Sequence, residues 1–184
     1  MIYVPNFLTL LRIASVPFII ILLFNHSYEF ALWLFVLAGL SDGLDGFIAK
    51  RYGCVTKLGT MLDPLADKCL LVAAFVMLSY QEYLPFWVAV VVVFRDLIII
   101  GGVLFVTLLV GNVALKPLVI SKLNTVMQIF LVFITLLKLA YPHFLEGIDW
   151  SFLFFLVAGT SILSGLAYIW QGLLLTMQGE KKQL

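Results

Sequence analysis

Apolar residues dominate the chain in six runs, each closed by polar or helix-breaking residues. The runs fall at about 7 to 25, 29 to 49, 60 to 80, 84 to 109, 119 to 140 and 151 to 172, and each is long enough to cross a bilayer as a helix of about 20 residues. Between them stand Asn25-His26-Ser27, Gly53, Pro85, Gly111-Asn112 and Pro142-His143, combinations that end helices and turn the chain. The pattern predicts an all-α integral membrane protein, a six-transmembrane-helix bundle forming one membrane domain over residues 1–184.

Composition strengthens this reading. Hydrophobic residues make up 64% of the 184 and charged residues only 11%, and the mean hydropathy is +1.15. A soluble domain is closer to half apolar. The formal net charge of +1 gives no support to nucleic-acid binding, but the order of the charges is informative. Six spans put both termini and the second-to-third and fourth-to-fifth loops on one side. That side carries Lys50, Arg51, Lys57, Lys116, Lys181 and Lys182, whereas the other holds His26, Glu29, Glu82, His143, Glu146 and Asp149, with Lys138 the exception. The positive-inside rule then places both termini in the cytoplasm.

Residues Met1 to Pro5 show neither a basic n-region nor an Arg-rich leader, so the expectation is an uncleaved first helix in a bacterial cytoplasmic membrane. Cys54 and Cys69 lack metal-ligand spacing and are expected as free thiols. Gly39 and Gly43, Gly101 and Gly102, and Ser161 and Gly165 are expected to let helices approach closely. His26 and His143 are expected in solvent, and Trp33, Trp87, Trp150 and Trp170 are expected to include interfacial anchors.

Four carboxylates interrupt the apolar runs. Ser41-Asp42-Gly43-Leu44-Asp45-Gly46 closes the second run, and Gly59-Thr60-Met61-Leu62-Asp63-Pro64-Leu65-Ala66-Asp67-Lys68 opens the third. The i, i+3 spacing of Asp42 and Asp45 and the i, i+4 spacing of Asp63 and Asp67 put each pair on one helical face. The basic loop between the runs turns the chain back, so both pairs lie at one cytosolic depth. An Asp at a helix centre costs about 2.5 to 3.5 kcal/mol on insertion scales, so four of them need compensation. Lys50, Arg51, Lys57 and Lys68 could supply it as a salt-bridge cluster. Oxygen donors with no nearby His or Cys also suit a hard cation, Mg²⁺, Mn²⁺ or Ca²⁺. A pair of such ions can grip a pyrophosphate and stabilise both oxygens of an in-line displacement at phosphorus.

Asp42-Gly-Leu-Asp45-Gly46-Phe-Ile-Ala49-Lys50, eight residues, Gly59, three residues, Asp63, three residues, Asp67 resembles the signature of the CDP-alcohol phosphotransferase family. The resemblance implies a six-helix fold along the whole chain and transfer of a phosphatidyl group from CDP-diacylglycerol to an alcohol, with release of CMP. It implies that Asp42, Asp45 and Asp63 ligate Mg²⁺ or Mn²⁺, two ions per site, and that Asp67 shares in ligation and acts as general base. Gly46, Ala49 and Gly59 match positions that let the CDP group approach closely. Lys50 departs from the family's usual Arg, a point charge in place of a bidentate fork. A homodimer with one active site in each protomer is also implied.

The remaining intramembrane charges bear on the acceptor. Arg95 and Asp96 in the fourth run and Lys122 in the fifth are read either as a mutual ion pairing or as an anionic head-group pocket that includes Asn124. Arg95-Asp96-Leu97 with Gly101-Gly102, and Lys116-Pro117-Leu118-Val119-Ile120-Ser121-Lys122-Leu123-Asn124-Thr125-Val126-Met127-Gln128, resemble the eukaryotic-type cardiolipin synthases, whose acceptor is phosphatidylglycerol. The opening Pro5-Asn6-Phe7-Leu8-Thr9-Leu10-Leu11-Arg12, with Lys122, is similar to phosphatidylglycerophosphate synthases, which use glycerol 3-phosphate. Those usually carry a second basic residue where this chain has Asn124, so cardiolipin synthesis is favoured. Asn6, Thr9 and Arg12 are expected near the nucleotide, with snorkelling to head groups as the other reading of Arg12. A small cation transporter is the reading from another class. It would favour charge spread through the membrane depth, whereas these carboxylates gather at one face.

Overall fold

The computed structural model describes the backbone of residues 3–52, 57–110, 118–145 and 150–180, and the side chains of residues 10–41, 68–103, 118–143, 150–174 and 176. Every regular element among them is helical: α1 (Tyr3–Phe24), α2 (Tyr28–Tyr52), α3 (Lys57–Tyr80), α4 (Phe86–Val110), α5 (Val119–Ala140), a 3₁₀ turn (Pro142–Leu145) and α6 (Ser151–Glu180). Three contain stretches long and apolar enough to cross a membrane: Phe86–Val103, Val119–Ala140 and Ser151–Leu174. Within the described residues, Leu10–Phe24, Tyr28–Ser41 and Lys68–Tyr80 are shorter apolar helical stretches.

The chain divides into two compact units, residues 1–84 with 132–148, and residues 85–131 with 149–184. In the first, α1 packs against both α2 and α3, and α2 touches α3. Its core follows the helical period, with Ile19 and Leu23 of α1 meeting a layer of Ala31, Leu32, Phe35 and Ala38 from α2 and Leu70, Leu71, Ala74, Phe75 and Leu78 from α3.

Two helix ends in this unit close without glycine. After α1, the Ser27 N–H donates to the Leu22 carbonyl (2.9 Å) and the His26 N–H to the Leu23 carbonyl (2.9 Å). After α3, the Tyr83 N–H donates to Leu78 (3.0 Å) and the Glu82 N–H to Ser79 (3.1 Å). Each is a Schellman closure, with His26 (φ 56°) and Glu82 (φ 64°) in the left-handed position. The two turns are joined: Gln81 Nε2 donates to the Leu23 carbonyl (2.7 Å), and the Tyr28 and Tyr83 hydroxyls lie 2.9 Å apart. His26, expected in solvent, is exposed, yet its Nδ1 is bonded to the Tyr28 hydroxyl (2.5 Å).

In the second unit α4 packs along α6. Val88, Ala89 and Val92 are buried together with Arg95 and Asp96, and Leu153, Val157 and Ala158 with Ser161 and Ser164. Phe86, Phe94, Leu97, Phe155, Ile162, Leu166 and Trp170 are exposed. Large apolar side chains outside and charged or hydroxyl groups inside is the arrangement expected of helices solvated by lipid.

Among the described residues, the close approach expected at small residues is present at Ser161 and Gly165 and not at Gly39, Gly101 or Gly102. Ser161 is fully buried, and a Cβ on Gly165 would rest 3.7 Å from Arg95 Cγ. A Cβ on Gly39, Gly101 or Gly102 would meet nothing within 4 Å. These three lie off the buried stripes of α2 and α4, and among the described residues they bring no helix closer. Gly43 lies outside the described side chains. Gly101→Ala is therefore expected to stabilise the protein by about 0.5 to 1 kcal/mol, the helical entropy cost of glycine, read as a raised unfolding midpoint in detergent. Cys69 is a free, exposed thiol, whereas Cys54 falls outside the described residues.

Candidate active site

The two acidic pairs fall on adjoining helices. Asp42 and Asp45 lie in the last part of α2, Asp63 and Asp67 in the first half of α3, and these helices touch. The backbone thus carries both pairs toward the same end of one hairpin, each pair on one face by its spacing. Their side chains, with those of Gly46, Ala49, Lys50, Gly59, Asn6 and Thr9, lie outside the described residues. Among the described residues no group of three His, Cys, Asp or Glu could hold a metal ion. The donor set of four carboxylates, with no thiolate or imidazole among them, fits Mg²⁺ or Mn²⁺ and not a soft metal. Arg12, on α1 of the same unit, is 2% exposed, and the Ser15 hydroxyl donates to its carbonyl (2.6 Å).

A second polar cluster occupies the unit built from α4, α6 and the first half of α5. Arg95, 3% exposed, spreads its guanidinium over three partners. Its Nη1 meets Asp96 Oδ1 (2.5 Å), its Nη2 donates to Ser121 Oγ (2.5 Å) and Ser164 Oγ (2.7 Å), and its Nε donates to Ser164 Oγ (3.2 Å). Of the two readings of Arg95 and Asp96, the mutual pairing is present, and each guanidinium nitrogen is engaged. A planar fork is the cation suited to such multiple donation.

One turn beyond Ser121, Asn124 is fully buried, its Oδ1 accepting from Ser161 Oγ (2.9 Å) and lying 2.9 Å from Thr160 Oγ1. Lys122 points to the exposed face of α5. The structure therefore groups Arg95 and Asn124 in one polar unit and leaves Lys122 at its surface. Sequence reasoning gave no role to Ser121, Thr160, Ser164 or Gln128. The available signal was the four-residue spacing of Thr160 with Ser164 and of Asn124 with Gln128, which puts polar groups on one face of an apolar helix.

The model of the CDP-alcohol phosphatidyltransferase family matches residues 2–176. The chain belongs to that family. Cardiolipin synthase (CMP-forming) of Homo sapiens is 32% identical over 185 residues, covering 92% of this chain and 61% of the human protein. The CDP-diacylglycerol–glycerol-3-phosphate 3-phosphatidyltransferase of Wigglesworthia glossinidia brevipalpis is 30% identical over 176 residues, 92% of this chain and 96% of that protein. The enzyme of the same name from Rickettsia typhi is 35% identical over 136 residues, 72% of this chain and 75% of its own. The chain thus spans about three-fifths of the length of the animal cardiolipin synthase it matches. Family membership extends over both units and includes the hairpin of α2 and α3 with all four aspartates.

Proposed function

We propose that this member of the CDP-alcohol phosphatidyltransferase family is an integral membrane enzyme of phospholipid synthesis that moves a phosphatidyl group from CDP-diacylglycerol to phosphatidylglycerol, forming cardiolipin and CMP. The observation that carries this reading is the uninterrupted spacing of Asp42, Asp45, Gly46, Ala49, Gly59, Asp63 and Asp67 across one helical hairpin. All six helices cross the membrane as one domain over residues 1–184, with both termini and the active site cytoplasmic. Two protomers associate, each with its own site.

Asp42, Asp45 and Asp63 would hold the divalent ions, Mg²⁺ or Mn²⁺, and Asp67 would contribute to the same set. When bound, such ions offset the charge of the diphosphate and make its lipid-bearing phosphorus more electrophilic. Gly46, Ala49 and Gly59 leave room for the CDP group against the helix backbones, and Lys50 offers a phosphate contact as a point charge. Asn6, Thr9 and Arg12 lie toward the nucleotide. Asp67 takes the proton of the acceptor hydroxyl as its oxygen bonds to phosphorus and the bond to the CMP oxygen breaks. The step needs no covalent enzyme intermediate. Arg95, Lys122 and Asn124 are the candidates for contact with the acceptor head group.

A second reading, phosphatidylglycerophosphate synthesis from glycerol 3-phosphate, is favoured by the bacterial relatives of that name. Asn124 supports the first, because a terminal phosphomonoester is better met by a second cation than by a neutral amide. Mass spectrometry of products from purified protein, CDP-diacylglycerol and both acceptors decides between them. Cardiolipin as the dominant product is the expected result, and phosphatidylglycerophosphate alone would transfer the assignment to the second reading.

A further inference from the structure

The turn that joins α1 to α2 stands at the end of the first unit away from the aspartates of α2 and α3. Beside it is a cavity of about 300 Å³ with two unlike walls. His26, Ser27, Tyr28 and Glu29 make the polar wall, and Phe30 makes the apolar one with Leu139 and Ala140 of α5, whose second half belongs to this unit. A second cavity, of about 630 Å³, shares Ala140 and is otherwise lined by Leu137, Tyr141, Pro142 and His143. The polar wall is fixed from behind. His26 Nδ1 is bonded to the Tyr28 hydroxyl, which lies 2.9 Å from that of Tyr83, and the rings of each pair meet edge to face with centroids 5.7 Å apart. His26 also holds a left-handed φ of 56°, a conformation that persists where the surroundings determine it. Tyr80 and Tyr83, exposed at the neighbouring turn, belong to the aromatic class found at head-group depth.

Among the described lining residues Glu29 supplies the formal charge, and lysine and arginine are absent. An anionic head group would meet that carboxylate with no fixed cation to offset it. An ammonium group would meet Glu29 together with the aromatic side chains of Tyr28 and Phe30, while Ser27 and His26 offer donors to a phosphodiester oxygen. We propose that the two cavities together hold one phospholipid with an ammonium head group, its ammonium beside Glu29 in the smaller cavity and an acyl chain in the larger. The site takes its lipid from the leaflet away from the aspartates. It stands apart from the transfer chemistry and requires only that the chain lie in a bilayer.

The test is native mass spectrometry of the full chain released from nanodiscs of equimolar phosphatidylethanolamine and phosphatidylmethanol with the same acyl chains. The second lipid keeps the phosphodiester, lacks the ammonium and has no hydroxyl with which to act as acceptor. The wild type should retain phosphatidylethanolamine over phosphatidylmethanol by about fivefold or more. Glu29→Gln should bring that ratio to within about twofold of one, and Ala140→Phe, which fills the wall common to both cavities, should remove one retained phosphatidylethanolamine per protomer. A wild-type ratio near one, which needs no variant to fold, overturns the proposal. Unchanged retention by folded Ala140→Phe overturns it as well. Displacement of the retained lipid by soluble glycerophosphoethanolamine would show that the head group alone is the ligand and would overturn the role given to the larger cavity.

Discussion

Asp42→Asn is expected to lower CMP release by at least about 10³-fold, because electrostatic stabilisation by a bound metal supplies several kcal/mol and each 1.36 kcal/mol is a factor of ten. The substitution keeps the shape of the side chain and removes the charge. Asp45→Asn and Asp63→Asn should behave alike, and chelation by EDTA followed by Mg²⁺ or Mn²⁺ should abolish and restore turnover. Asp67 separates from the others through metal dependence. A variant that has lost a ligand regains part of its rate as the ion concentration rises, whereas one that has lost its base does not. Activity of Asp42→Asn within tenfold of wild type would remove it from the metal site, and the salt-bridge reading of the four aspartates would gain.

Arg95→Met should destabilise the protein by about 3 to 5 kcal/mol, the usual cost of removing one member of a buried ion pair. Arg95 and Asp96 are 3% and 6% exposed, so the pair is held away from water. Ser121 and Ser164 would lose their shared donor at the same time. The double variant Arg95→Met, Asp96→Leu should recover much of the loss, since well-packed apolar pairs often replace buried ion pairs at little cost. A double-mutant cycle of thermal unfolding in detergent measures this coupling. Additive effects of the two single changes would show that the pair does not act as a unit.

The helices were largely legible because the apolar runs and their punctuation are long and regular. The fifth run, expected at about 119 to 140, is α5 at Val119–Ala140. The sixth was expected to end near residue 172, yet α6 continues to Glu180. Its last residues, Thr176-Met177-Gln178-Gly179-Glu180, are polar enough to leave an apolar run while still propagating a helix. The side of a helix on which a small residue lies was less legible, as Gly39, Gly101 and Gly102 show. Glycine pairs mark close packing only where they fall on the stripe facing a neighbour. The closure of α1 and α3 by His26 and Glu82 was also hidden, because neither residue type announces a left-handed turn.

The two polar clusters differ in the same respect. The aspartates are close in sequence at fixed intervals, and the chemistry of four carboxylates in apolar helices narrows the reading sharply. The partners of Arg95 are 69 residues away at Ser164 and 26 away at Ser121. Serine in an apolar helix satisfies its own backbone as readily as a distant guanidinium. Only packing selects between those fates, so Ser121, Ser161 and Ser164 acquire meaning once α4, α5 and α6 have been placed within their unit.

The most direct test of phosphatidyl transfer is CMP release from CDP-diacylglycerol labelled in the cytidine. Purified wild-type protein would be assayed with Mg²⁺ or Mn²⁺, with and without phosphatidylglycerol or glycerol 3-phosphate. Release of CMP that requires both the divalent ion and an acceptor, in step with new phospholipid, is the predicted result. No CMP with either acceptor at any divalent-ion concentration would contradict it.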